Sequence, residues 1–112
     1  MAAREKLDVL QGTLDLLILR TLQWGPLHGH GIGQQIRSKS DEVLQVEHGS
    51  LYPALHRLQR EGWIESEWGI TTNKQRAKFY HLTETGKKQL LREENRWKQF
   101  VQAMTRATRP QE

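Results

Sequence analysis

The side chains best suited to binding chemistry lie in one run, Gly49–Ile64, which reads GSLYPALHRLQREGWI. Within it, Leu51, Leu55 and Leu58 recur at helical spacing, and this pattern predicts a helix with one apolar face toward a core. The remaining side chains are mostly polar or basic and face away from the core. Those able to hydrogen-bond an external ligand are Ser50, Tyr52, His56, Arg57 and Arg60. Tyr52 has an alternative role, packing beneath the segment that follows.

That following segment predicts a cationic hairpin. Two strand-like stretches, 63–68 and 77–82, flank a polar tip that contains Gly69 and Asn73 for turning. A helix beside a cationic hairpin can fill a DNA major groove while the hairpin holds the backbone next to it. We therefore expect double-stranded DNA as the partner. The alternative is an ordinary solvated hairpin. The expected backbone or minor-groove contacts are Lys74, Arg76 and Lys78.

The charge distribution agrees with a nucleic-acid partner. The chain has 112 residues, a formal net charge of +4 and a pI near 9.7. Residues 70–92 contain six Lys/Arg and one Glu, a net charge of +5, which leaves −1 for the rest of the chain. A basic excess confined to one hairpin and the start of one helix is typical of a DNA-binding surface.

Several classes of protein are not expected. The chain has no cysteine, which excludes disulfides, thiolate metal sites and a cysteine nucleophile. His28 and His30 are two residues apart and match no ligand motif, so we expect no metal and no cofactor. No phosphate loop or nucleophile motif is present, so we expect no catalytic residues and no enzyme. No apolar run approaches about 20 residues, and MAAREKLDVL lacks a signal-peptide core, so we expect a cytoplasmic protein without a membrane partner.

The order of elements predicts the fold class. Helices are expected after Gly12, over 29–39 and from Ser50, followed by the hairpin and by a long helix capped by Thr83. The fold class is therefore mainly α with a small β-hairpin (α+β), a winged helix-turn-helix followed by a long C-terminal helix. The expected divisions are an N-terminal arm (1–11), the DNA-binding domain (12–83), a dimerisation helix (84–107) and a disordered tail (108–112).

The last helix has an apolar face that one small domain is too small to cover. Leu90, Trp97 and Met104 are seven residues apart, and Phe100 and Val101 fill the same side, as in a short coiled-coil seam. We therefore expect a homodimer that uses these five residues as its interface. Two-fold symmetry would place the two recognition helices about one DNA turn, ~34 Å, apart on an inverted repeat.

Four stretches together resemble the PadR-type transcriptional regulators: residues 10–19, 25–32, 49–64 and 76–90. The resemblance is to the short form, with a single C-terminal helix, and it implies repression through an operator. Some members of that family bind flat aromatic ligands, so the resemblance also allows an effector that stacks on Trp97. His30 stands where the family often has Tyr. The expected function is therefore a sequence-specific dimeric repressor, and the alternative is a non-specific architectural nucleic-acid-binding protein.

Overall fold

The computed structural model describes residues 7–8 and 12–111. In chain order, the elements are β1 (Leu7–Asp8), α1 (Leu14–Leu22), β2 (Leu27–His28), α2 (Gly29–Lys39), β3 (Leu44–Gln45), α3 (His48–Arg60), β4 (Ile64–Ile70), β5 (Arg76–Leu82) and α4 (Glu84–Ala107). This is the expected α+β winged helix-turn-helix with a long C-terminal helix, so the predicted fold class is confirmed. Most of the predicted N-terminal arm, 1–11, lies outside the described residues.

The core lies where α1, α2 and α3 meet the base of the sheet. Each helix contributes apolar residues three or four positions apart, which places them on one face. Burial of these faces supplies most of the stability that such a small domain can obtain. The fully buried side chains are Ile18, Leu19, Ile32, Leu51, Leu55, Leu58 and Ile64.

The hairpin is part of a three-stranded antiparallel sheet of order β2-β5-β4. The register of β4 and β5 runs from Ile64 opposite Leu82 to Ile70 opposite Arg76. The third strand, β2, was not predicted, because its two residues carry no alternation of their own and become a strand only by pairing with β5. A second, parallel bridge joins β1 to β3.

Helix α3 begins three residues earlier than the sequence predicted. The expected N-cap was Ser50, but the cap position is held by Glu47, whose carbonyl accepts from the backbone N–H groups of Ser50 (3.0 Å) and Leu51 (2.9 Å). Pro53 consequently lies inside the helix. Its missing N–H leaves the carbonyl one turn earlier, on Gly49, without the usual helical donor.

The predicted cap of α4 is confirmed, and it ties three elements together. The Thr83 hydroxyl accepts from the Gly86 N–H (3.0 Å) and donates to the carbonyl of Gly62 (2.6 Å), in the turn after α3. The Thr83 N–H donates to the carbonyl of Trp63 at 3.1 Å. The end of α3, the start of β4 and the start of α4 are therefore held together at one point.

Among the described residues, the first part of α4 packs most closely against the other elements. Leu90 is 3% exposed and belongs to the core of the single chain, so its predicted place in a dimer interface is wrong. The physical reason is that the first turns of α4 lie against α1 and β5. From residue 95 onward, every described residue of the helix is exposed. None of the helices in the described range is both long and apolar enough to cross a membrane.

Candidate nucleic-acid interface

Helix α3 presents a polar row on the side opposite its buried face. With about 3.6 residues per turn, the row directly opposite Leu51, Leu55 and Leu58 contains His56 and Arg60, four residues apart. Both side chains are exposed. Ser50, also exposed, lies on the flank toward α1, and this flank also carries Arg57. Of the residues predicted to contact DNA, His56 and Arg60 are therefore the most outward-facing.

Arg57 is exposed but forms an ion pair with Asp15 of α1. Its Nη1 donates to Oδ2 of Asp15 at 2.7 Å and its Nη2 donates to Oδ1 of the same carboxylate at 2.6 Å. The hydrogen bond to Asp15 is the main cause that raises the pKa of Arg57. A two-pronged pair of this kind fixes the planar guanidinium in one geometry. This pair gives Arg57 a role in holding α3 against the first turn of α1, and its contact with DNA stays a prediction.

A double-mutant cycle tests this positioning role. We expect Asp15→Asn and Arg57→Gln each to lower the free energy of unfolding by about 1 kcal/mol, since the pair is two-pronged but partly exposed. The double variant should lose little more than either single variant, because both remove the same contact. Chemical denaturation of the four proteins measures this. Fully additive losses would show that the two side chains act independently.

Tyr52 has a packing role at the start of α2. Its ring lies against Gly29, where an added Cβ would be 2.8 Å from the tyrosine hydroxyl. The ring of His48 meets it edge-on, with centroids 5.8 Å apart. Tyr80 of β5 is buried nearby. Its burial and, to a smaller extent, its electrostatic interaction with Tyr52 raise the pKa of Tyr80. Tyr52 remains 39% exposed, so part of its side chain is available for a DNA contact.

The hairpin of β4 and β5 has two chemically different faces. Alternation and the observed register place Glu65 and Glu67 on one face, which we call the outer face. The opposite, inner face packs on the helices at its base and meets α3 where the Ser66 hydroxyl donates to Oε1 of Gln59 at 3.4 Å. Along this inner face, from base to tip, lie Ile64 and Leu82, Ser66 and Tyr80, Trp68 and Lys78, and Ile70 and Arg76. The inner face is thus continuous with α3 and carries the cations.

Trp68 was not among the predicted site residues, although the structure places it at the centre of the inner face. It is 59% exposed. The guanidinium carbon of Arg76 lies 4.6 Å from the centroid of its ring, and Nζ of Lys78 lies 5.5 Å away. The alternation of β4 already put Trp68 on one face. Its cationic neighbours, however, depend on the register with β5, which the sequence did not give.

The cations of the candidate interface are not used for internal ion pairs. Within the described part of the chain, no carboxylate pairs with Arg60, Lys74, Arg76 or Lys78, whereas Arg20 forms a 2.6 Å pair with Glu94. Lys74 lies in the turn at the tip with a φ of 61°. All four are exposed. Their charges are therefore available to an anionic partner.

A second candidate site is a groove between the middle of α4 and the start of α1, lined by apolar and aromatic side chains and by the polar side chains of Glu93, Arg96 and Gln99. Trp97 and Phe100 stack with centroids 5.9 Å apart. With Leu16 of α1, they line an open cavity of about 490 Å³. Trp97, Phe100, Val101 and Met104, which we call the α4 apolar face, are between 40% and 51% exposed. Among the described residues, no group of three His, Asp or Glu side chains is arranged to hold a metal ion.

Comparison with known proteins agrees with this architecture. The model of the transcriptional regulator PadR-like family matches residues 18–92. An uncharacterised protein of Lysinibacillus sphaericus is 30% identical over 80 residues, which cover 71% of this chain and 73% of that protein. The negative transcriptional regulator PadR of Bacillus subtilis (strain 168) is 32% identical over 77 residues, which cover 69% of this chain but 42% of the relative.

A solved structure extends the similarity to nearly the whole fold. The structure of a transcriptional regulator from Clostridium thermocellum superposes with a TM-score of 0.80 at 29% identity, covering 88% of this chain and 96% of the other. The family match spans the winged helix-turn-helix and the packed start of α4. This chain therefore belongs to the PadR-like family of transcriptional regulators, as its sequence motifs predicted.

Proposed function

We propose that this protein is a sequence-specific, dimeric transcriptional repressor that binds an inverted-repeat operator. In this proposal α3 enters the major groove through Ser50, His56, Arg60 and the exposed edge of Tyr52. The wing, which is the β4–β5 hairpin, holds the adjacent backbone or minor groove through Lys74, Arg76 and Lys78. The observation that carries the proposal is the two-faced wing, because Arg76 and Lys78 lie on the face continuous with α3 and Glu65 and Glu67 lie on the other.

The α4 apolar face supports a dimer. Within the described part of one chain, the four large side chains of this face keep 40% to 51% of their surface exposed to water, which is unfavourable. A second copy of the same helix presents the same side chains, as a two-fold interface requires. Pairing through α4 gives each particle two copies of α3, which matches the symmetry of an inverted repeat.

Repression and effector control are also part of the proposal. The relative from Bacillus subtilis is named a negative transcriptional regulator, which supports repression here. The groove beside Trp97 is lined by stacked aromatic rings and is large enough for a flat aromatic effector. The cytoplasmic location stays a prediction.

Selection of bound fragments from a random DNA pool tests the proposed function. We expect a palindromic consensus whose half-site centres lie about 10 base pairs, or one turn, apart. The affinity for the selected duplex should exceed the affinity for random DNA by about 10³-fold or more, so binding should persist in an excess of random DNA. If the selected fragments share no consensus and an excess of random DNA abolishes binding, the result would instead support the non-specific architectural alternative.

Substitution at the wing tip should change how binding depends on salt. We expect Lys74→Ala to weaken specific and random duplexes by the same factor, because a phosphate contact carries no sequence information. The slope of log K against log salt should become shallower by about one unit for each wing. Binding measured between low and moderate salt checks this. Lys39→Ala, an exposed lysine at the end of α2, is the matched control and should leave the slope unchanged.

A further inference from the structure

The inner face of the wing carries an exposed aromatic and cationic surface beyond its contact with α3. Past the layer of Ser66 and Tyr80, the side chains are Trp68, Ile70, Lys78 and Arg76. Trp68 is 59% exposed and Ile70 is 65% exposed. The described structure places no acidic residue on this stretch of the inner face, since Glu65 and Glu67 alternate to the other side. Its partner must therefore combine negative charge with apolar surface.

A DNA minor groove has both properties. Its walls are formed by deoxyribose rings, which are apolar, and its edges are phosphates. Where the groove is narrow, as in A-tracts, its negative potential is enhanced and favours an inserted arginine. Because the hairpin lies directly beside α3, it extends across the phosphate backbone toward the neighbouring minor groove when α3 occupies the major groove. The chemistry of the inner face and its place next to α3 thus fit one partner, the duplex that α3 binds.

We propose that the wing reads the width of the minor groove next to each half-site, with Arg76 inserted into the groove and Trp68 against the deoxyribose wall. This inference rests on the proposed function. It adds a specificity determinant that acts through DNA shape rather than through base edges. Lys78 then lies at the groove edge, where a point charge meets phosphate.

The stacking of Arg76 on Trp68 is the reason that the arginine suits this role. Its guanidinium carbon is 4.6 Å from the indole centroid, so the side chain is held along the inner face rather than free in solvent. A planar cation that is already ordered loses less conformational freedom on binding. The indole also shields one side of the guanidinium from water, which strengthens its attraction to the groove. Trp68 therefore positions Arg76 and also contacts the sugar itself.

Two duplexes of equal base composition test the inference. Both carry the selected operator, and the flanks reached by the wings are AAATTT in one and TTTAAA in the other. The first flank has a narrow minor groove, and the second contains a flexible TA step. We expect wild-type protein to prefer the AAATTT duplex by about fivefold. A third duplex with inosine–cytosine flanks, which lack the guanine N2 amino group, should bind more tightly than its guanine–cytosine counterpart.

Variants of Trp68 and Arg76 distinguish a specific loss of flank preference from a general loss of DNA affinity. Trp68→Ala and Arg76→Lys should bring the flank preference, which is the ratio of the affinities for the two duplexes, to about one, and any general loss of affinity cancels in this ratio. Trp68→Ala removes the indole on which the guanidinium stacks, and the ammonium in Arg76→Lys is strongly hydrated and does not stack in the same way. Trp68→Phe should keep part of the preference. Lys39→Ala is the control and should keep all of it. Because Trp68 is exposed, folding of its variants, checked by circular dichroism, should match wild type.

The outcomes distinguish this inference from the proposed function. If wild-type protein selects an operator but shows no flank preference, the wing does not read groove width. This result overturns the inference but leaves the proposed function standing. An undiminished preference in Trp68→Ala and Arg76→Lys overturns it as well. If no duplex is preferred at all, the proposed function itself fails. A loss of the intrinsic-fluorescence change on DNA binding in Trp68→Phe supports direct contact by the indole.

Discussion

Replacing Gly86 by alanine is expected to lower the free energy of unfolding by about 3 kcal/mol or more. A Cβ at this position would overlap the carbonyl oxygen of Trp63 and would lie 2.9 Å from its carbonyl carbon. Both are backbone atoms, which no side-chain rotation can move away. Relief requires α4 to move off β4, which breaks the 3.1 Å bond from the Thr83 N–H to Trp63 and exposes Leu90.

Gly49→Ala is the matched control for this substitution. Gly49 is also in a helix, but a Cβ there has no atom within 4 Å. The same chemical change should therefore leave stability unchanged or raise it by up to about 1 kcal/mol, because alanine is the better helix former. Thermal and denaturant unfolding at one fixed protein concentration measure both variants, since a dimer's stability depends on concentration. Equal midpoints for Gly86→Ala and wild type would contradict the tight approach of α4 to β4.

Phe100→Glu is expected to convert the proposed dimer into a monomer at micromolar concentration. Phe100 stacks on Trp97 within the α4 apolar face, so the new carboxylate would be buried without a partner in a two-fold interface. The affinity for the inverted repeat should then fall by about 100-fold or more, because the second half-site is no longer linked to the first. The single chain should remain folded, since Phe100 is 51% exposed in it.

Gln102→Glu supplies the control for charge. It introduces the same carboxylate two residues further along α4, at an exposed position on the side away from the α4 apolar face. Sedimentation should show a dimer for Gln102→Glu and a monomer for Phe100→Glu, with operator affinity following the same division. A dimeric Phe100→Glu protein would mean that another surface joins the two copies.

Local patterns predicted most of the fold. The leucines of α3, the Thr83 cap and the alternation in β4 and β5 each act within a few residues, so they can be read along the chain. The start of α3 was placed three residues late because Ser50 is a good cap by type, yet the Glu47 carbonyl already accepts the first helical bonds. β2 was missed because its existence depends on pairing with a strand about 50 residues away.

The candidate site shows the same limit. Arg57 and Arg60 are equivalent as residue types, and only the position of Asp15, 42 residues earlier, shows that Arg57 is ion-paired within the chain while Arg60 faces solvent. Leu90 and Trp97 are seven residues apart in one pattern, yet the packing of the first turns of α4 buries the former and leaves the latter exposed. Periodicity identifies a face of a helix but not the element that covers it.

The sequence alone determined the family, the fold class and the set of polar and basic residues from which a DNA-binding surface is built, because these depend on residue type and short spacing. Tertiary structure alone decided which of those residues are free and which side of the wing they occupy. That choice depends on strand register and on ion pairs between distant elements, where a shift of one residue would exchange Glu67 for Trp68 on the face beside α3.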